Sequence, residues 1–262
     1  MLYRISAVAT ACLLVLCAAG PSWAAGQSAA KKHGARQFYV PVLIYHHIKW
    51  SKPSDNATER GLTIYPSQFT AHLAYLRSHG YHTLTALRLT EALRGAATVP
   101  RHPVVLTFDD GYRDVYTNAY MALRRDHMTG TFFIIAGLVG KPRYLTWKQI
   151  TDMARHGMDI EAHTMTHPDL TIVPAAQDWG EINQSRLVLQ KHLHRQVHIF
   201  CYPYGAYDTT VLRDVAKAGY WSAFTTREGF VESNAHMLLL PRVYANHDNV
   251  VPVTPALVHP GS

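Results

Sequence analysis

Cysteine is what this chain has least of. Three occur in 262 residues, and Cys12 and Cys17 lie in an N-terminal apolar run, so removal of that run leaves Cys201 alone. An intramolecular disulfide is then excluded, and stability has to come from a packed core. Charge is sparse too, at 16% Asp, Glu, Lys and Arg against 48% hydrophobic residues, which excludes a disordered or coiled-coil chain. The net charge is +7, yet no five or six basic residues follow one another, so a nucleic-acid arm is excluded. After the first 25 residues no segment supplies the roughly 18 consecutive apolar residues of a membrane span. Internal repeats and interior linkers are also missing, which leaves one large domain of the size common for α/β barrels.

Residues 1–25 carry Arg4, an apolar run from Val8 to Ala19, and then Gly20, Pro21 and Ser22-Trp23-Ala24. This is the pattern of a secretory signal peptide, with an uncut leader as the alternative. Residues 26–37, rich in Ala, Gln, Lys, Gly and Ser, read as a flexible lead. The domain is expected over 38–255, with 256–262 as a tail. An exported monomer, periplasmic or extracellular, with no nucleic-acid partner and no membrane span after leader removal, is the expectation.

Within the domain, short apolar runs alternate with helix-period segments. The spacing predicts strands at Tyr39–Tyr45, Val104–Phe108, Gly130–Ile135, Met158–Ala162, His198–Tyr202, Ser222–Thr225 and Leu238–Val243. Helices are expected from a Ser67 cap to Gly80, and over Thr90–Arg94, Asp114–Asp126, Trp147–His156, Asp178–His194 and Thr209–Ala218. Such alternation implies a parallel sheet with crossover helices, wound open or closed into a barrel. Functional groups then gather at the C-terminal ends of the strands.

Three strand ends carry chemistry. The run Val104 to Phe108 leads straight into Asp109-Asp110-Gly111. Successive strand side chains point to opposite faces, so two adjacent carboxylates share a site only if the turn at Gly111 bends the chain; a plain helix cap is the other reading. The next strand end carries His163-Thr164-Met165-Thr166-His167-Pro168. Pro168 biases His167 away from helical angles, so an irregular loop should bring both imidazoles onto one cation. With 17 histidines against 18 acids, position rather than number makes this pair informative. Two imidazoles and a carboxylate leave open coordination positions, which suits a catalytic divalent ion, Zn²⁺ by default and Co²⁺ or Ni²⁺ as alternatives. One Asp would bind the ion and its neighbour would take a proton from the attacking water, a metal-assisted hydrolysis. The third stretch, Tyr202-Pro203-Tyr204-Gly205, fixes a turn that can aim an amide at an oxyanion and offer aromatic faces to sugar rings.

Taken together, Thr107-Phe108-Asp109-Asp110, His163-Thr164-Met165-Thr166-His167 and Pro203-Tyr204-Gly205 resemble the three motifs of the polysaccharide deacetylase family, the NodB-type carbohydrate esterases. The resemblance runs in order from about Tyr39 to Tyr244 and implies a single-domain distorted (β/α)7 barrel. It implies Asp109 as catalytic base, Asp110, His163 and His167 as metal ligands, and the Tyr204 amide in the oxyanion hole. The family's third motif usually opens with an arginine on the base, and here Cys201 stands in that place. The late Leu-x-His that supplies a general acid in many members has no match in Leu238-Leu239-Leu240-Pro241-Arg242, and neither His236 nor His247 has its spacing. Deacetylases of poly-β-1,6-N-acetylglucosamine resemble the chain in the strand Val42-Leu43-Ile44-Tyr45-His46-His47 and in a Tyr-Pro-Tyr-Gly turn. His46, Tyr202, Pro203 and Tyr204 are therefore the expected substrate contacts. The implied activity is metal-dependent removal of N-acetyl groups from N-acetylglucosamine units of a polysaccharide. Peptidoglycan, chitin-like oligomers or xylan are alternative polymers, and a sugar-binding relic without catalysis is the non-enzyme alternative.

Overall fold

The structure is a computed structural model that describes residues 34–245; the predicted leader, most of the lead and the tail lie outside that range. Seven strands form the frame: β1 Val42–Tyr45, β2 Pro103–Phe108, β3 Thr131–Ile134, β4 Asp159–Ala162, β5 Ile199–Cys201, β6 Ser222–Glu228 and β7 Leu240–Tyr244. Each pairs in parallel with the next in chain order, and β7 returns to β1 through Val243↔Leu43 and Tyr244↔Ile44. The result is a closed parallel seven-stranded α/β barrel, which also resolves the open-or-closed choice left by the alternation of elements.

Side-chain parity along these strands sorts the core into two clusters. Val42, Val105, Phe133, Ile199, Cys201, Phe224 and Leu240 fill the interior together with Leu84, Ala86, Leu89 and Leu93. Their neighbours Leu43, Tyr45, Leu106, Phe108, Phe132, Ile134, Ile160, Phe200 and Val243 join the helices' apolar faces in the other cluster. That double burial is why the strands read as nearly continuous apolar runs rather than as alternating ones. Helix α1, Pro66–Ser78, contributes Phe69, Leu73 and Leu76 to the outer layer. It starts one residue ahead of Ser67, because Pro66 is set for the first helical position and Gln68 Oε1 accepts from the Tyr65 amide at 3.0 Å.

The barrel is distorted in identifiable places. β4 and β5 pair only at Ala162↔Phe200. Below that point the buried Glu161 accepts from the His198 and Ile199 amides at 2.9 and 2.8 Å, so a carboxylate takes the donors that a strand would have taken. Between β6 and β7 there is no α-helix; strand Val231–Ser233 runs antiparallel to Gln37–Tyr39 instead. The expected helix over Asp114–Asp126 is a wide π-helical stretch, Val115–Tyr120, running into Met121–Arg125. The one expected over Thr90–Arg94 spans Ala86–Leu93, capped by the Thr85 hydroxyl, which accepts from the Arg88 amide at 3.1 Å. Among the described residues no helix is long and apolar enough to cross a membrane.

Candidate active site

Four strands deliver the site, and strand parity decides what each contributes. Asp109 continues the inward series Val105, Thr107 beyond β2, His163 continues Asp159, Glu161 beyond β4, Cys201 ends β5 on the inward face, and Arg242 lies two residues past inward-facing Leu240 on β7. Asp110 would point outward on the same count. It does not, because Asp110 and Gly111 both adopt left-handed angles, with φ of 70° and 74°. That bend takes the second carboxylate toward the first one's side, as the Gly111 turn predicted. Aspartate tolerates this backbone better than most non-glycine residues.

The metal-type cluster is compact. His163 Nε2 and His167 Nε2 each lie 3.3 Å from the same oxygen of Asp110, Oδ1. His163 Nδ1 lies 2.7 Å from the Cys201 carbonyl, which turns Nε2 toward Asp110; burial opposes charge on this ring, but Cys201 and Asp110 hold its pKa well above the ordinary value. Asp110 Oδ1 is buried and receives no hydrogen bond. An orphaned carboxylate oxygen facing two imidazole nitrogens is the donor set of a small divalent cation, so these residues fit a metal. Burial opposes charge on Asp110, yet His163 beside it holds the carboxyl well below the usual range. Burial and the neighbouring His163 push His167 down to about 4, so its imidazole is in the neutral, ligating form near pH 7.

Asp109 is built differently. The fully buried Arg242 donates to Asp109 Oδ1 through Nη1 and to Oδ2 through Nη2, both at 2.8 Å. The same guanidinium donates to Thr107 Oγ1 at 3.0 Å and to the Thr225 carbonyl at 2.9 Å, and Nη2 lies 3.0 Å from Cys201 Sγ. Burial raises the pKa of a carboxyl, but Arg242 outweighs it and holds Asp109 below its ordinary value. A second convergent set, Asp109, His163 and Cys201, shares His163 with the first. Its carboxylate is already taken up on both oxygens by Arg242, so the Asp110 set is the one open to a cation.

Arg242 is the residue sequence reading passes over. It stands where a late histidine is looked for, and the signal that reveals it is parity: a charged side chain in phase with inward-facing Leu240 on the same strand. It reaches Asp109 beside Cys201, which occupies the place of the family's usual arginine.

The expected substrate contacts divide. Tyr204 has a left-handed φ of 58°, is 65% exposed, and sets its ring edge-on to His167 with centroids 4.7 Å apart. Gly205 follows with φ 69°, and a Cβ there would fall 2.6 Å from the Thr226 backbone nitrogen, so the turn requires glycine. His46 stacks on Tyr244 and feels the charges of Asp109, Asp110, Arg242 and His163; burial lowers its pKa. Tyr202 is a correction. It takes the outward phase after Cys201, is buried among Phe200 and Tyr207, and donates to the Leu238 carbonyl at 3.1 Å, so it cannot face a sugar. Pro203 is likewise buried and acts on the backbone of the turn.

This architecture is not isolated. The family profile described as polysaccharide deacetylase matches residues 96–223. The polysaccharide deacetylase-family protein YxkH of Bacillus subtilis (strain 168) is 33% identical over 204 residues, covering 78% of this chain and 70% of its own. The chain belongs to the polysaccharide deacetylase family. Two further polysaccharide deacetylases, both named poly-β-1,6-N-acetyl-D-glucosamine N-deacetylase, are similar at lower identity. The Staphylococcus aureus (strain MSSA476) protein is 26% identical over 86% of this chain and 84% of its own length. The Escherichia coli (strain K12) protein is 25% identical over 75% of this chain, but only 36% of its own length is matched. Among solved structures, the Streptococcus pyogenes deacetylase PplD in complex with acetate superposes with a TM-score of 0.76 at 31% identity, covering 81% of this chain and 95% of that one. IcaB from Ammonifex degensii does so with 0.70 at 25% identity, covering 84% and 93%. The activity class of polysaccharide deacetylases, hydrolysis of acetyl groups on carbohydrate, is accordingly that of this chain.

Proposed function

We propose that this protein is an exported, metal-dependent N-deacetylase that removes acetyl groups from N-acetylglucosamine units of poly-β-1,6-N-acetylglucosamine. One observation carries the chemistry: two adjacent buried carboxylates in opposite states, Asp109 clamped by Arg242 and Asp110 with an unpartnered oxygen turned to His163 and His167. Division of labour between neighbouring acids follows from such contrasting environments. The polymer is favoured by the names of the Staphylococcus aureus and Escherichia coli relatives and by the Ile44-Tyr45-His46-His47 strand end.

In this reading Asp110, His163 and His167 hold one divalent ion, Zn²⁺ first, with Co²⁺ or Ni²⁺ as alternatives. Such an ion, when bound, polarises the acetamide carbonyl and makes water acidic enough to attack near neutral pH. Asp109 accepts the water's proton, and Arg242 keeps that carboxylate ionised and oriented until it does. The Tyr204 amide donates to the oxygen that gains charge. The proton taken up by Asp109 is the one available to the leaving amine, and His46, within the field of both aspartates, lines the same site. The exposed Tyr204 ring beside His167 offers a stacking face to the sugar. Acetate and a glucosamine unit are the products. Export follows from the leader read in residues 1–25.

The test is acetate release from a panel of poly-β-1,6-N-acetylglucosamine, chitin oligomers, peptidoglycan and acetylated xylan, with and without chelator. Asp109→Asn should keep metal uptake and lose acetate release by about 100-fold or more, while His163→Ala should lose the metal. Full activity in Asp109→Asn removes the base assignment. Release from another polymer of the panel moves the substrate and keeps the chemistry.

A further inference from the structure

The loop between the two histidines is held in a backbone shape it would not choose. Thr164 and His167 both have left-handed angles, with φ of 63° and 67°, and neither is glycine. Residues in that region persist only where their surroundings over-determine them. One side of the loop is pinned by the backbone, with the Ala136 amide donating to the Thr164 carbonyl at 3.0 Å and Gly137 to that of Met165 at 2.9 Å. Gly137 also permits the approach, because a Cβ there would lie 2.5 Å from the Met165 oxygen. Within the loop, the His167 amide donates to Thr164 Oγ1 at 2.9 Å.

The other side is pinned by a single side chain. Glu181, on the helix Ala175–Leu193, is buried and accepts through Oε2 from the Met165 and Thr166 amides at 2.8 and 2.7 Å. Its Oε1 accepts from the Thr166 hydroxyl at 2.6 Å. Both backbone donors at the crest of the loop and its central hydroxyl therefore end on one carboxylate. Charge-assisted bonds of this kind are about twice as strong as neutral ones.

We propose that Glu181 is a positioning residue of the metal centre: it sets the Thr164–His167 turn so that His167 Nε2 arrives on the same Asp110 oxygen as His163 Nε2. It touches neither ion nor substrate and acts through the loop. Outer groups that orient metal ligands change metal affinity by about 10–100-fold when removed. The inference rests on Asp110, His163 and His167 being a metal centre, and does not depend on which polymer is cut.

Zn²⁺ affinity by competition with a chromophoric chelator, and the melting temperature of the metal-free protein, are measured for the full chain and its variants. Glu181→Ala should weaken Zn²⁺ about 10–100-fold. Glu181→Gln, which keeps an accepting oxygen for the two amides and can donate its NH₂ to the Thr166 oxygen, should restore most of that affinity. If the alanine variant does not fold, Glu181→Asp is read instead, its shorter reach giving a smaller loss in the same direction. A drop in metal-free melting temperature with unchanged Zn²⁺ affinity, in Glu181→Ala or Glu181→Asp, overturns the proposal and leaves Glu181 a structural residue. Failure of the wild-type chain to bind Zn²⁺, Co²⁺ or Ni²⁺ overturns the metal centre itself, a result distinct from the first.

Discussion

Arg242 is the residue on which the state of Asp109 depends. Two parallel bonds at 2.8 Å need the planar fork of a guanidinium, which a lysine ammonium cannot reproduce. Arg242→Lys should retain the charge and the fold but let Asp109 swing, so that kcat on an acetylated glycan falls by about 100-fold while KM changes little. Steady-state kinetics on the two proteins check it; an equal rise in KM would instead mean that Arg242 binds substrate. Arg242→Ala is expected to cost about 3–5 kcal/mol of stability, since it leaves a buried carboxylate unpaired. The sequence made Asp109, Asp110, His163 and His167 legible because their spacing and their place at strand ends are local features. Arg242 was not legible, because its partner lies 133 positions away and nothing near Leu240 names it.

At the scale of elements, the helix Ala175–Leu193 does more than cover β4. Its first turn carries Asp178, buried with an unpartnered Oδ1, one turn ahead of Glu181. Burial and the nearby Asp208, Asp214 and Glu181 push the Asp178 carboxyl up to about 6. An unfolded aspartate titrates near 4, so the folded chain holds this proton more tightly than the unfolded chain does. The contribution to stability is therefore full below about pH 4 and is lost as the pH rises through about 6. Asp178→Asn should stabilise the protein by about 1 kcal/mol at pH 8 and have almost no effect near pH 4. Thermal melts of both proteins across that range check the sign; a constant difference at every pH would point to packing instead. Pro168 made it legible that the second histidine sits in a loop rather than on a helix. The left-handed angles of Thr164 and His167 were not, because they are imposed by Glu181 and by the backbone at Ala136 and Gly137.

At the scale of the whole molecule, closing the ring brings β7 beside β1 and β6, and so carries Arg242 to Asp109 while β4 brings His163 to Asp110. An ion bound only by the closed ring must stabilise it. Zn²⁺ at 100 times its dissociation constant adds about 2.7 kcal/mol, which for a domain of this size raises the melting temperature by about 5–10 °C. Calorimetry with and without Zn²⁺ checks this, and His167→Ala should abolish the shift; an equal rise in that variant would place the ion elsewhere. By itself the sequence determined the seven strands, since doubly buried strands must be short apolar runs between helix-period segments. It also determined the metal-type donor set and the bend at Gly111, since these depend on neighbours a few residues apart. Only the tertiary structure decided that the sheet closes, that Tyr202 turns away from the site and that Arg242 and Glu181 brace it. Those outcomes depend on strand phase relative to the ring and on contacts between distant segments, which a linear pattern does not encode.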